Sequence, residues 1–323
     1  MSIDIVWAPT NLGLRPPEPG AVPGTVKAPE ALREAGLGAA LGPSAGDAGT
    51  VLAGRYRPAP GAGEAIRNER AILAHTRALA DRVEAVLDRG RTPLVVGGDC
   101  SLVLGPLLAL RRGGARIGLV YVDGHGDFRR PATSDAADTL GGEALAAAVG
   151  LHHEQVSSPD GLAPLVRPVD AVQAGYRDDA AELAELRDTL GDVLTADDLA
   201  ASEPSAAARR IRSVVDAAGL DGFWIHVDVD VLDPRWMPAV DSPDPGGLEP
   251  AGLAALLAEL APHAIGADLA IYDPELDPDG SAATIIVEVV RTGLAGLGSL
   301  RRSAAERRAA PASPPPPGTS RAS

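Results

Sequence analysis

Six short apolar runs, separated by segments of helical periodicity, constrain the fold of this 323-residue chain more than any other feature. The runs lie at residues 3–7, 94–96, 117–122, 171–174, 223–227 and 269–272, and most of them lead into Gly, Asp or His. Such runs are typical of strands buried on both faces of a parallel sheet. Helical patterns occur at 65–89, 204–219, 249–261 and 281–297. The alternation predicts an α/β fold in which helices cover both faces of a mostly parallel sheet.

The domain organisation follows from where the composition changes. Residues 1–300 contain no repeat and no shift in composition, which predicts one domain. Residues 301–323 are rich in Pro, Ala, Ser and Arg and have almost no large apolar side chain, so we expect a disordered tail. Residues 13–63 are rich in Gly and Pro, which predicts long surface loops.

Charge and cysteine content exclude several classes of protein. The formal net charge is −15 and Lys27 is the only lysine, which argues against a nucleic-acid partner because such surfaces are basic. One cysteine excludes an intrachain disulfide. The N-terminal apolar run is too short for a secretion signal or a membrane span, so we expect a cytoplasmic protein without a membrane partner.

Acidic side chains and a histidine follow two of the apolar runs. The segments "VYVDGHGDF" and "IHVDVDVLDP" supply Asp123, His125, Asp127, Asp228, Asp230 and Asp233. Residues i and i+2 of a strand point to the same face, so these side chains can converge in pairs. A single acid at such a place is usually a solvated loop residue, but clustered carboxylates repel one another unless a cation neutralises them. Oxygen ligands with one imidazole suit Mn²⁺ or another hard to borderline ion.

Four segments together resemble one family. GGDC (97–100), DGHGD (123–127), HVDVDVLDP (226–234) and the glutamate of YDPELDP, Glu275, occur in the order of the GGDH, DAHxD, SxDxDxxDP and late-Glu motifs of the arginase/ureohydrolase family. The resemblance spans about residues 3–298. The family includes arginases, agmatinases and formimidoylglutamases. It implies a three-layer α/β/α sandwich with two divalent metal ions, and a homo-oligomer, trimeric or hexameric as is common in the family.

The resemblance also implies roles for individual residues. One metal would be held by Cys100, Asp123, Asp127 and Asp228, and the other by Asp123, His125, Asp228 and Asp230. Glu275 would bind a planar guanidinium group, and Asp127 would pass a proton to the leaving amine. Manganese is the expected metal, with Zn, Fe or Co as alternatives because Cys100 offers a soft sulfur.

Cys100 is the first departure from the family pattern, because most members have histidine there. It is interpreted as a metal ligand, since its neighbours Gly97, Gly98 and Asp99 match the family. The alternatives are a buried apolar residue and a thiolate nucleophile.

Two further departures bear on the substrate. Gly141 replaces a histidine that shuttles protons in the family. His152 or His153 can replace it only if folding brings one of them close, and a solvated loop pair is the simpler interpretation. The missing histidine favours a more activated nitrogen, such as that of an N-hydroxyguanidine. Arg129 and Arg130 stand where arginases have Asn-Thr-Pro, and arginine at a pocket rim would favour a substrate with a carboxylate tail. The alternative is a pair of solvated loop arginines without a role in binding.

The sequence therefore predicts a binuclear metallohydrolase. It would cleave a C–N bond of a linear guanidino, N-hydroxyguanidino or formimidoyl compound that bears a carboxylate, releasing urea or a urea analogue. One alternative is a non-catalytic protein that keeps the fold for binding or assembly, and another is a one-metal, deacetylase-like enzyme. The intact carboxylates favour the binuclear enzyme, because clustered charges are costly to keep once no metal binds them.

Overall fold

A single parallel sheet organises the chain, for which a computed structural model describes residues 2–133 and 138–301. Its strands are β1 (Ile3–Ala8), β2 (Gly46–Thr50), β3 (Thr92–Gly97), β4 (Gly118–Val122), β5 (Ala171–Tyr176), β6 (Asp192–Thr195), β7 (Phe223–Asp228) and β8 (Gly266–Ala270). They lie in the order β2-β1-β3-β8-β7-β4-β5-β6, and every adjacent pair is parallel. The predicted α/β class with a parallel sheet is confirmed.

Two groups of helices pack on this sheet. The helices are α1 (Ala28–Glu34), α2 (Leu37–Ala40), α3 (Glu69–Asp88), α4 (Leu104–Arg112), α5 (Ala144–Ala148), α6 (Glu154–Ser157), α7 (Ala180–Thr189), α8 (Ala196–Ala200), α9 (Pro204–Val215), α10 (Pro250–Leu260) and α11 (Ser281–Val289). In the first group, α4 contacts both α3 and α5. The second group is held together by contacts among α1, α2, α9, α10 and α11. The result is a three-layer α/β/α sandwich.

Burial explains which strands the sequence predicted. Every residue of β1, β3, β4, β5, β7 and β8 is buried, so these strands consist mostly of apolar residues. The edge strands β2 and β6 are short and partly exposed, and neither was predicted. The run at 269–272 was placed too late, because β8 ends at Ala270 and Ile271 takes a left-handed conformation with φ 75°.

The prediction of surface loops at 13–63 is wrong in part. This segment contains α1, α2 and β2, and its side chains Ala28, Leu32 and Leu37 are buried. Some of its Gly and Pro residues lie inside these elements, as Pro29 does in α1 and Gly46 and Gly49 do in β2. Of the predicted tail, residues 302–323 lie outside the described part of the chain. Within the described ranges, no helix is long and apolar enough to cross a membrane.

The strand order fixes the place where a site can form. Strands β8 and β7 lie between β3 and β4, although β3 and β4 are consecutive in the chain. Ligands of open α/β sheets bind beyond the carboxyl ends of the strands, where the strand order reverses. Because β3, β8, β7 and β4 are neighbours and parallel, the segments that follow them meet at the centre of one sheet edge.

Candidate metal centre

Cys100 reaches the centre of this edge from the end of β3. Gly98 passes so close to the backbone of Thr10 that a Cβ atom there would lie 2.2 Å from the Thr10 carbonyl oxygen, so only glycine fits. The Asp99 carboxylate then accepts a hydrogen bond from the Ser101 N–H at 3.0 Å and starts a short 3₁₀ turn. The turn buries Cys100, whose thiol donates to Asp228 Oδ2 at 3.0 Å.

The loop after β4 supplies three of the predicted ligands. The N–H of His125 donates to Asp123 Oδ1 at 2.6 Å, which folds the loop back on the end of the strand. His125 Nδ1 lies 2.8 Å from Asp230 Oδ2, and its Nε2 lies 2.9 Å from Asp244 Oδ2. Asp127 has a positive φ of 44° and accepts a hydrogen bond from the Tyr121 hydroxyl. The loop therefore directs its polar side chains towards the end of β7.

The end of β7 supplies the remaining two predicted metal ligands, Asp228 and Asp230. Asp228 Oδ1 accepts a hydrogen bond from the N–H of Asp230 at 2.8 Å, and Asp230 Oδ1 accepts one from the N–H of Gly124 at 3.2 Å. These bonds tie the β4 and β7 ends together. The structure thus brings Cys100, Asp123, His125, Asp127, Asp228 and Asp230 to one place. Asp233 instead turns away and binds Arg235 and the Gly246 N–H.

Two groups of side chains have ligand atoms close enough together to bind one metal ion each. Cys100, Asp123 and His226 form one group, and Asp123, His125 and Asp230 form the other; within each group the ligand atoms lie within 4.8 Å of one another. Asp123 belongs to both. Asp123 Oδ2 and His226 Nε2 are buried and have no hydrogen-bond partner in the described part of the chain. Such atoms are costly to bury unpaired, so the donor set fits metal ions.

The electrostatics of the cluster agree with this interpretation. Burial, and then repulsion from Asp230 and Asp228, raises the pKa of Asp123 well above its usual value. Burial and the charge of Asp228 likewise raise the pKa of the Cys100 thiol. Burial raises the pKa of Asp127 to about 7, although the Tyr121 hydroxyl opposes the shift. Without a cation, the cluster therefore retains protons at pH values where isolated carboxyl groups are ionised.

His125 shows the complementary effect. Burial lowers its pKa, but its hydrogen bond to Asp230 and the surrounding negative charge outweigh burial and raise the pKa to about 10. In the metal-free cluster the imidazolium therefore serves as the cation. A metal ion that bound this side chain would have to displace that proton.

A cleft of about 480 Å³ opens above the cluster. Its lining includes Cys100, His125, Asp127, Arg129, Gly141, Asp178, Glu182, Asp228, Asp230, Asp241 and Asp244. Arg129 lies over Gly142, where a Cβ atom would stand 2.1 Å from its Nη2 atom. Its neighbour Arg130 does not line the cleft and forms an ion pair with Glu185 of α7. Of the two arginines, only Arg129 is therefore placed to meet a substrate.

Glu275 lies beside this cleft rather than in it. It borders an adjacent cavity of about 470 Å³, which shares Arg129, Gly142 and Asp241 with the first. Its carboxylate is half exposed and forms an ion pair with Lys27. Its backbone N–H donates to Asp273 Oδ1 at 2.9 Å, which fixes the turn that carries it. Glu275 and Arg129 therefore line the same adjacent cavity.

The histidines suggested as replacements at position 141 do not meet the cleft. His152 Nε2 lies 2.7 Å from Glu143 Oε2, and both side chains are fully buried, so the interpretation of His152 as a solvated residue is wrong. His153 packs its ring edge against His152. Among the described residues that line the cleft, His125 is the one histidine.

His226 is the residue that sequence reasoning missed. It stands two positions before Asp228 on β7, so the period of two in a strand places both side chains on one face. The signal was present in "IHVDVD". It was overlooked because the family motif has serine at that position, which directs attention to the aspartates alone.

Comparison with known proteins agrees with this architecture. The sequence model of the arginase family matches residues 19–295. The N(omega)-hydroxy-L-arginine amidinohydrolase of Streptomyces lavendulae is 32% identical over 249 residues, which cover 74% of this chain and 84% of that protein. The solved arginase of Bacillus caldovelox superposes with a TM-score of 0.80 at 27% identity, covering 90% of this chain and 97% of that one. The arginase of Bacillus cereus gives a TM-score of 0.79 at 25% identity, covering 91% and 98%. The chain is therefore a hydrolase that belongs to the arginase family.

Proposed function

We propose that this protein is a binuclear metallohydrolase that acts on an amino acid carrying a guanidino or, preferably, an N-hydroxyguanidino group. Water adds its oxygen to the guanidino carbon, and the C–N bond to the side-chain nitrogen breaks. That nitrogen gains a proton and leaves as a primary amine. The other product is urea from a guanidine and hydroxyurea from an N-hydroxyguanidine.

The observation that carries this proposal is the sharing of Asp123 between two possible ligand groups, whose members Cys100, His125 and Asp230 line the cleft. Two bound divalent cations would lower the pKa of water and stabilise negative charge that develops on the substrate. Cys100, Asp123, Asp127 and Asp228 would hold one of them, and Asp123, His125, Asp228 and Asp230 the other. Manganese is the expected metal, with zinc, iron or cobalt as alternatives because of the thiolate.

The chain's own groups would orient the substrate and move the proton. Asp127 is partly buried at the cleft wall, where its carboxylate would pass a proton to the leaving amine. The Tyr121 hydroxyl fixes the orientation of this carboxylate. Arg129 would bind the carboxylate tail, and Glu275 would bind the guanidinium group from the adjacent cavity.

The cleft supports the N-hydroxyguanidine over the plain guanidine. Gly141 leaves the wall without the proton-shuttling histidine of the family, and His152 is buried elsewhere. A substrate whose nitrogen is already activated depends less on such a shuttle. The Streptomyces lavendulae relative carries an N-hydroxyarginine activity in its name, which supports the same choice.

A substrate panel tests the proposal. The manganese-loaded protein would be given Nω-hydroxy-L-arginine, L-arginine and agmatine, with hydroxyurea or urea measured alongside the amine product. We expect the highest kcat/KM with hydroxyarginine and the lowest with agmatine. Equal kcat/KM for hydroxyarginine and arginine would contradict the choice of substrate. Absence of hydrolysis of every guanidino compound by the metal-loaded protein would favour the non-catalytic alternative.

Arg129→Ala is predicted to separate substrates by their tails. Loss of a charged hydrogen bond weakens binding by about 1.5–3 kcal/mol, so KM for hydroxyarginine should rise about tenfold or more while kcat changes little. KM for agmatine, which lacks the carboxylate, should not rise. Arg130→Ala is the matched control because its guanidinium binds Glu185 outside the cleft. An unchanged KM for hydroxyarginine in Arg129→Ala would exclude this role.

Glu275→Gln is predicted to lower kcat/KM about 10- to 100-fold, because a neutral amide replaces a charge-assisted acceptor of the guanidinium group. Lys27→Met is the matched control. It removes the other half of an exposed ion pair that contributes at most about 1 kcal/mol, so kcat/KM should stay within a few-fold or rise. Steady-state kinetics at matched metal content compare the two. Equal losses in both variants would show that Glu275 acts only through the ion pair.

Further parts of the proposal concern the protein's surroundings. We propose a homo-oligomer, a trimer or hexamer as the resemblance to the family implies, and a cytoplasmic location. We also propose that residues 1–300 form the catalytic domain and that residues 301–323 are a tail outside it. Light scattering of the full chain measures the oligomeric state. The kcat of a chain ending at residue 300 shows whether residues 1–300 form the catalytic domain.

A further inference from the structure

His226 is a fully buried histidine for which the assigned ligand sets have no role. Its Nδ1 forms a hydrogen bond with Asp268 Oδ2, and the Trp224 indole N–H donates to the other oxygen of the same carboxylate. Its ring stacks on Tyr121, with centroids 4.2 Å apart. Asp268 and Tyr121 therefore hold the imidazole in one position, while its Nε2 has no partner in the described ranges.

The Asp268 carboxylate determines what Nε2 can do. Asp268 is fully buried and can only accept hydrogen bonds when ionised, so it places the imidazole proton on Nδ1. The lone pair of the neutral ring is then on Nε2. A carboxylate that orients a histidine from behind in this manner is the usual outer partner of a metal-binding imidazole.

Cys100 and Asp123 offer possible ligand atoms close to this ring. A ligand atom of His226 lies within 4.8 Å of those of Cys100 and Asp123, and Nε2 is the ring nitrogen that Asp268 leaves available. Asp123 Oδ2 is also without a hydrogen-bond partner in the part of the chain described. Three buried side chains thus offer ligand atoms within 4.8 Å of one another, and two of the three have a buried atom without a partner in the described ranges.

We propose that Cys100, Asp123 and His226 hold the inner metal ion, and that this site selects a borderline-soft ion such as Zn²⁺ or Co²⁺. This inference rests on the proposed binuclear function. It adds His226 to the ligands of the metal ion that Cys100 binds. The imidazole that the GGDH motif supplies from β3 is supplied here from β7, two residues before Asp228. Thiolate and imidazole ligands favour zinc or cobalt, whereas the outer group, Asp123, His125 and Asp230, is richer in oxygen and suits manganese.

The competing role for His226 is structural, as a buried side chain that only packs against Tyr121 and Asp268. His152 shows what such a histidine looks like in this chain. It is also fully buried, and it also binds a carboxylate with one nitrogen and leaves the other without a partner within the described residues. It differs because, among the residues that the structure describes, neither a cysteine nor a second acid forms a ligand group with it. His152 is therefore the matched control.

The test uses the full chain, stripped of metal and given one equivalent of Zn²⁺. X-ray absorption at the zinc edge should show one sulfur and one imidazole in the first shell. The same spectrum is expected from His125→Gln, which removes the imidazole of the outer group, and from His152→Gln. His226→Gln should lose the imidazole contribution and more than about 100-fold in zinc affinity, beyond the 10- to 100-fold that loss of an outer partner causes.

Three results would overturn the inference. They are a sulfur without an imidazole in the wild-type spectrum, an imidazole without a sulfur, and an imidazole that disappears in His125→Gln. The wild-type and His125→Gln spectra decide the question even if His226→Gln does not fold. Failure of the inference is also distinct from failure of the proposed function, because the latter is measured by hydrolysis in the manganese-loaded protein.

Discussion

Asp123→Asn is expected to remove both metal ions and to lower kcat by at least about 10³-fold. Asp123 is shared by the two ligand groups, so its replacement affects both at once. Asparagine has nearly the same shape and can still accept the hydrogen bond from the His125 N–H. The change therefore tests charge and ligation at the unpaired Oδ2 more than packing. Metal content by mass spectrometry and turnover under saturating hydroxyarginine are the measurements.

Asp233→Asn is the matched control for this change. Asp233 also belongs to the acidic segment after β7, but its carboxylate binds Arg235 and the Gly246 N–H rather than facing the cleft. These bonds hold its pKa well below the usual range. We expect full metal content and nearly unchanged turnover. If Asp123→Asn kept two ions per chain, Asp123 would not be the bridge.

Metal binding is expected to remove the loss of stability that the metal-free protein shows as pH rises. Metal-free protein should lose stability as pH rises from about 5 to about 9, whereas metal-loaded protein should not. The gain in melting temperature on adding Mn²⁺ or Zn²⁺ should therefore grow with pH, by about 5 °C or more across this range. Thermal unfolding at constant ionic strength, with and without a chelator, measures it.

The direction follows from two raised pKa values. Asp127 titrates at about 7 in the fold and at about 3.8 when unfolded, so the stability it contributes is lost as pH rises between these values. His125 titrates at about 10 against 6.5, so its contribution is lost between 6.5 and about 10. A bound cation takes over the role of these protons. Metal-free Asp127→Asn should show a shallower decline, and an equally steep one would contradict this origin.

The central strands and the metal-site acids were predictable from the sequence for one physical reason. A strand buried on both faces has to be apolar, so polar residues that interrupt the pattern mark its end. Asp123 and Asp228 stand at such ends, and the structure brings them together as the pattern predicts. The edge strands β2 and β6 escaped prediction because a partly exposed strand needs no continuous apolar run.

The environment of the site could not be predicted in the same manner. Ion pairs form between side chains distant in sequence, as between Lys27 and Glu275, which are 248 positions apart. Nothing local to either residue indicates the other. The same holds for Arg130, which the loop sequence places beside Arg129 but the fold pairs with Glu185 of α7.

By itself the sequence determined the α/β class, the order of the motifs and which acidic residues lie at one edge of the sheet. These properties follow from local patterns, since burial dictates apolarity and strand geometry dictates which neighbours share a face. Only the tertiary structure decided which atoms are left without partners. Asp268 of β8 binds Nδ1 of His226 and so leaves Nε2 as the other ring nitrogen, which has no partner among the described residues. The proximity of His226 to Cys100 depends on strands β8 and β7 lying between β3 and β4. Contacts across a sheet are set by strand order, which is a property of the whole chain.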